Sequence, residues 1–183
     1  MQNYLNNLRR EKLFYTTFEC MLNHEVYILT GSNQGNRYDH LLKAISLVEV
    51  TGAVVLKKSS IYETAAWGPI PQPTFLNQVL IISTSLDPEK LMQELLAIEI
   101  QMGRVRDQKM GPRIIDLDIL FYDELIYHSK TLTIPHPLLQ ERRFVLTPLC
   151  EIKANLFHPV FRKTVKELLE ECKDILKVKN WFP

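Results

Sequence analysis

Arg113-Ile114-Ile115-Asp116-Leu117-Asp118-Ile119-Leu120-Phe121 is the stretch that decides the fold. Ile115, Leu117, Ile119 and Phe121 alternate with Asp116, Asp118 and Leu120, the period of a β-strand with one face in the core and both aspartates on the other. Side chains two apart on one face of a strand stand roughly 7 Å from each other. That spacing suits hard cations, since Mg²⁺ takes oxygen ligands and is commonly held by one or two carboxylates together with phosphates. Just upstream, Arg104, Arg106, Lys109 and Arg113 crowd a stretch in which Asp107 is the one acidic residue. Arginine offers a fork that matches phosphate oxygens. Acid and base together point to a metal–nucleotide site. An Asp-x-Asp pair tied up in surface ion pairs would need no function, so the rest of the chain has to decide.

Working outward, the chain alternates strand and helix signals. Val26 to Thr30 reads as a strand, followed by a Gly-Ser-Asn turn and a helix over about Tyr38 to Val50 with Leu41, Leu42, Ile45 and Val48 on one face. Ala53 to Tyr62 and Phe75 to Ser85 read as strands joined by a long loop. Asp87-Pro88 is an N-cap followed by proline at the first helical position, and Leu91, Leu95, Ile98 and Met102 carry the core stripe until Gly103 stops it. The aspartate strand comes next. This order, βαββαβ, predicts an α+β, ferredoxin-like core: an antiparallel sheet with two helices on one face. A hairpin around Asp123-Glu124, a helix over roughly Leu138 to Glu151 and a final helix opened by the capping box Thr164-Val165-Lys166-Glu167 complete the chain.

Composition agrees with one compact domain. At 183 residues and 46% hydrophobic content the chain can bury one substantial core. A net charge of +1 provides no global basic field for nucleic acid, so the local arginines point to a small phosphorylated ligand. Cys20, Cys150 and Cys172 are odd in number and widely spaced, which reads as free thiols in a reducing cytoplasm. No apolar stretch approaches the roughly 18 residues of a spanning helix. Residues 1–24 differ from the rest and lack a signal peptide's apolar core. They are expected to be an extension ahead of a single domain over 25–183, with Met21 as an alternative start.

The loop Glu63-Thr64-Ala65-Ala66-Trp67-Gly68-Pro69-Ile70-Pro71-Gln72-Pro73-Thr74 is too long for a tight hairpin and too rich in proline for a strand. Its stiffness, the flat Trp67 and its free backbone groups suit a heterocycle that needs stacking area and edge hydrogen bonds.

The run Lys109 to Leu120 resembles the signature of the 6-hydroxymethyl-7,8-dihydropterin pyrophosphokinases of folate biosynthesis. Val26 to Asn33, Tyr62 to Asn77, Pro135-His136-Pro137 and Glu141-Arg142-Arg143-Phe144-Val145-Leu146 resemble further segments of that family in the same order. The resemblance implies transfer of pyrophosphate from ATP to a pterin alcohol. It implies two Mg²⁺ ions on Asp116 and Asp118, with Arg104 and Arg113 also catalytic. Around ATP it puts Glu99, Arg104, Arg106, Arg113, Ile119, Thr133, His136 and Arg142. Around the pterin it puts Thr64, Ala65, Trp67, Phe75, Asn77 and Phe144. Expected partners are ATP and the pterin, with no nucleic acid and no membrane, and the chain acts as a monomer. Two departures stand out: Met110 replaces a tryptophan common before Gly-Pro-Arg, and Leu138 stands where an arginine often follows Pro-His-Pro.

Other readings of the residues remain open. An Asp-x-Asp glycosyltransferase or nucleotidyltransferase would also hold a metal-bound nucleotide, but would normally need a larger α/β domain. A ferredoxin-like RNA-binding module would need exposed strand aromatics and a basic face. The span from Arg104 to Arg113 is the expected lid over the site.

Overall fold

The computed structural model describes residues 23–105 and 111–183. Residues 1–22, which hold most of the expected N-terminal extension, and residues 106–110, which hold Arg106, Met110 and the middle of the expected lid, lie outside them.

Strand β1 (His24–Ser32) is an interior strand of the sheet. It pairs antiparallel with β4 (Phe75–Thr84) on one side and with β5 (Asp116–Tyr122) on the other. Strands β2 (Val54–Lys58) and β3 (Ile61–Thr64) lie end to end along β4. The sequence reads 53–62 as one strand, but Ser59 interrupts it. The Ser59 hydroxyl accepts from the Val79 amide at 3.0 Å, the Gln78 side chain donates to the Ser59 carbonyl, and the ladder restarts in β3.

Helix α1 (Arg37–Val50) is capped by Asn36, whose side chain accepts from the Asp39 amide; it turns Leu41, Ala44, Ile45 and Val48 inward. Leu42, expected on that face, is exposed. Helix α2 (Pro88–Gln101) follows its sequence signals, with the Asp87 side chain accepting from the Lys90 amide at 2.9 Å and Gly103 beyond its end at φ +92°. Both helices pack on one sheet face over Val26, Ile28, Leu117 and Ile119. This is the expected ferredoxin-like core.

The opposite face is covered as well. Helices α3 (Arg143–Lys153) and α4 (Val165–Glu171) build a second apolar cluster there with Tyr27, Leu29, Val79, Leu120 and Phe121. Phe121 was expected beside Ile119, and the structure differs because of a β-bulge. Tyr27 pairs with Phe121 and Ile28 with Ile119, so Leu120 is an extra residue. A one-residue slip inverts every following side chain. Burying a ring of this size on the second face is worth about 1.5–3 kcal/mol.

Four further differences lie C-terminal. The helix expected from Leu138 is a 3₁₀ turn (Leu139–Glu141), then α3. Arg142 between them is extended, while Arg143 is held by bonds to Asp174 and Cys172. Asp123-Glu124 forms a turn, but the paired ribbon comes later, as β6 (Tyr127–His128) and β7 (Thr133–Ile134). A short ribbon β8 (Phe157–His158) and β9 (Lys163–Thr164) precedes α4, whose Thr164–Glu167 capping box is present. Finally β10 (Val178–Trp181), unanticipated, adds to the sheet beside β3.

Candidate active site

Strand β5 leaves the core between two arginines. Asp116 and Asp118 are half-buried on the face opposite Leu117 and Ile119, as their alternation requires. Arg104, just past the end of α2, donates to Asp116 Oδ1 at 2.6 Å and also pairs with Glu99. Arg113 Nη1 stands 3.2 Å from Asp116 Oδ2. Asp118 has a different environment. Burial, and next the charge of Asp116, push its carboxyl up to about 7, against the opposing pull of Arg142 and Arg113. Two carboxylates so close and so unequally compensated suit a cation. Among the described residues no cluster of three or more acidic, histidine or cysteine side chains is available to it. Phosphate oxygens and water would therefore complete a hard-ion shell, the usual arrangement for Mg²⁺.

Glu99 is not a solvated helix residue. It is 2% exposed, and its Oε1 accepts from the Leu117 amide at 2.8 Å as well as from Arg104. The carboxylate thus fastens α2 to β5 between the two aspartates.

Across the cleft, the long loop and β4 form an apolar and amide wall. Asn77 is buried, donates to Thr64 Oγ1 at 2.7 Å, and has its Oδ1 against Gly31. A Cβ on Gly31 would stand 2.6 Å from that oxygen, so glycine is what admits the amide. The Arg142 guanidinium lies 4.8 Å from the Trp67 ring centre and 5.8 Å from that of Phe144, and Arg113 lies 5.4 Å from that of Phe75. The Nε atoms of Arg113 and Arg142 are both buried without a hydrogen-bond partner. Buried donors of this kind call for an acceptor such as an anion.

His136 follows the β7 strand, its amide bonded to the Leu120 carbonyl at 2.9 Å. Burial, and then the Arg142 charge, lower the imidazole to about 4, so it is neutral near pH 7. Its Nδ1 accepts from the Leu138 amide at 3.2 Å, which leaves the proton on Nε2.

These groups meet in one cleft of about 560 Å³. Thr64, Ala65, Trp67, Phe75, Asn77 and Phe144 line it, as do Glu99, Arg104, Arg113, Asp116, Asp118, His136 and Arg142. Two expected residues do not. Ile119 has its side chain in the core beneath α1 and α2, and Thr133 pairs with His128 in the β6–β7 ribbon, with 2.9 Å between its hydroxyl and the imidazole. The sequence reading missed Leu29, Met92 and Leu96, which also line the cleft. Leu29 reads as a core residue of its strand, Met92 and Leu96 fall beside the core stripe of their helix, and nothing local marks any of them as cleft lining.

The sequence profile described as 7,8-dihydro-6-hydroxymethylpterin-pyrophosphokinase (HPPK) matches residues 27–154, which hold every residue named above in the cleft. The chain belongs to this family. Among HPPK relatives, the 2-amino-4-hydroxy-6-hydroxymethyldihydropteridine pyrophosphokinase of Aquifex aeolicus is 43% identical over 146 residues, 80% of this chain and 91% of that protein. The Synechocystis protein of the same name is 43% identical over 149 residues, 81% of this chain and 76% of that one. The folic acid synthesis protein fol1 of Pneumocystis carinii is 45% identical over 152 residues, 83% of this chain but 20% of that longer protein. The chain thus spans about a fifth of that relative's length. Among solved structures, an HPPK-DHPS in complex with substrates superposes with a TM-score of 0.65 at 15% identity, over 81% of this chain and 43% of that one. Wild-type Plasmodium falciparum HPPK-DHPS with SDX-DHP gives 0.64 at 15% identity, over 81% and 44%. At such identity the likeness concerns the fold, and the fold is the HPPK one.

Proposed function

We propose that this cleft transfers the pyrophosphoryl group of ATP to the hydroxymethyl oxygen of 6-hydroxymethyl-7,8-dihydropterin, releasing AMP, as a step of tetrahydrofolate biosynthesis. One observation carries the reading: a single cleft joins an aromatic and amide wall to paired aspartates flanked by three guanidiniums. A pterin needs the wall, and a triphosphate needs the charges.

Phe75 and Phe144 offer ring faces to the pterin, and Asn77 with the backbone around Thr64 and Ala65 meets its polar edge. Arg104, Arg113 and Arg142 take the phosphate oxygens, and the two unpartnered Nε donors give Arg113 and Arg142 capacity for them. Neutral His136 adds an Nε2–H donor without adding charge. Asp116 and Asp118 would hold two Mg²⁺ ions, which neutralise phosphate charge and fix the triphosphate when bound. The pterin oxygen bonds to the β-phosphorus as the bond from that phosphorus to the α,β-bridging oxygen breaks. AMP leaves with the electron pair, and the hydroxyl proton passes to water. No covalent enzyme intermediate is needed, so positioning and charge complementarity supply the rate.

The working unit in this reading is a monomer, and the free Cys150 and Cys172 support a cytoplasmic setting. No helix among the described residues is long and apolar enough to cross a membrane. The test is AMP release from ATP, Mg²⁺ and the dihydropterin, with pterin-free and EDTA controls. AMP formed only with both present supports the reading, and none from folded protein removes it.

A further inference from the structure

We infer that Asn33 is a positioning residue that couples the pterin side of the cleft to the phosphate side. The inference rests on the proposed function for the identity of the two ligands. Asn33 follows β1 and is 3% exposed. Its backbone N donates to the Arg113 carbonyl at 3.1 Å, and its Oδ1 accepts from the Arg113 amide at 2.7 Å. These two bonds grip the backbone of Arg113, whose guanidinium reaches both Asp116 and the Phe75 ring. The other end of the same side chain grips the proline-rich loop: Nδ2 donates to Gln72 Oε1 at 3.0 Å and to the Pro73 carbonyl at 3.2 Å.

One amide is thereby shared between two segments that each carry half of the site. Arg37, four residues on, reinforces the loop end of this bridge. It donates to the Thr74 carbonyl and hydroxyl, each at 2.9 Å, and pairs with Glu63 at 2.9 Å, closing the base of the loop. Ordering of the loop by a pterin therefore reaches the Arg113 backbone through a rigid, buried group and not through solvent. Coupling between two ligand sites is reciprocal and usually amounts to about 5–150-fold in affinity.

The separating variant is Asn33→Asp. It keeps the Oδ1 acceptor for the Arg113 amide but turns an oxygen toward Gln72 Oε1 and the Pro73 carbonyl, breaking the loop arm alone. Gln72→Ala weakens the same arm from the other side and leaves Asn33 intact. Affinity of the full chain for 6-hydroxymethyl-7,8-dihydropterin is measured by calorimetry with and without Mg²⁺ and α,β-methylene-ATP. Hydrogen exchange of peptides covering Gly111–Leu117 is followed with pterin alone.

In the unmodified protein the nucleotide analogue should tighten pterin binding by at least about 5-fold, and pterin alone should protect the Gly111–Leu117 peptides. In Asn33→Asp the tightening should fall to near 1-fold and the remote protection should vanish, with kcat reduced more than either KM. Gln72→Ala should lie between. Retained coupling in Asn33→Asp, or a pterin that binds the unmodified protein without any coupling, overturns the inference while leaving the proposed function standing. A folded, unmodified protein that binds no pterin at all removes both.

Discussion

Asp116 is paired with Arg104 at 2.6 Å and with Arg113 at 3.2 Å, whereas its neighbour Asp118, two residues along the same strand face, forms no ion pair among the described residues. Removing either carboxylate should abolish turnover, and the two losses should differ in stability. Asp118 has a folded pKa of about 7, raised by burial and by Asp116, so its own contribution to stability falls as pH rises from the carboxyl's ordinary 3.8 through 7. Asp118→Asn should therefore raise the Tm of metal-free protein at pH 8, by about 2–4 °C for each kcal/mol relieved. Asp116→Ala, which leaves Arg113 without its carboxylate and Arg104 with Glu99 alone, should lower it. Thermal denaturation in EDTA decides; a Tm unchanged or lowered in Asp118→Asn would count against the assigned electrostatics.

Gly31 is held to glycine by the Asn77 oxygen. Gly31→Ala should push the amide aside and weaken pterin binding by about 10-fold, the equivalent of roughly one hydrogen bond, with nucleotide affinity little changed. Titration of each ligand separately reads this. Equal losses for both would point to general disruption of the strand.

Arg113 touches the Phe75 ring and the Asp116 carboxylate, yet its Nε is unpartnered. Arg113→Ala should lower kcat by about 10²–10³-fold, as loss of a group that acts on developing charge does, and raise the pterin Kd far less. An unchanged kcat would remove it from the catalytic set.

Glu99→Ala leaves the Leu117 amide and Arg104 without their shared acceptor inside the protein. A cost of about 1–3 kcal/mol follows for each unsatisfied buried donor. Urea denaturation measures it, and Glu99→Gln, which can still accept from the amide, should lose less. A stability equal to wild type in Glu99→Ala would show that water replaces the acceptor.

His158 packs against Phe121 and Phe161, its Nδ1 accepts from the Phe161 amide at 3.3 Å, and its Nε2 is buried without a partner. Burial lowers its pKa from the ordinary 6.5, and burial lowers that of His136 to about 4. The unfolded chain then binds more protons than the folded one below about pH 6.5, so stability present at pH 7 is lost as the pH falls below 6.5. His158→Gln, which can keep the Phe161 bond, should flatten this acid loss. Identical slopes of Tm against pH between 7 and 5 in the two proteins would exclude His158 as a contributor.

Much of the site was legible because it rests on local signals. Alternation set Asp116 and Asp118 on one face, the Asp87-Pro88 and Thr164–Glu167 signatures opened their helices, and a proline-rich run announced a long loop between strands. The caps and the loop are properties of a few adjacent residues, decided by steric and hydrogen-bonding preferences that act within a turn or a strand. The bulge at Leu120, the interruption at Ser59 and the added strand at Val178–Trp181 were not legible, since each depends on a partner elsewhere in the sheet. The same holds for Glu99, which meets Leu117 18 residues later, and for Asn33, which meets Gln72 after 39 residues and Arg113 after 80. The sequence by itself determined which residues carry charge, ring faces and turns, and hence the βαββαβ core and the chemistry of the cleft. The tertiary structure alone decided which of them share a hydrogen bond, because a buried polar group takes whatever partner the closed fold brings within about 3 Å.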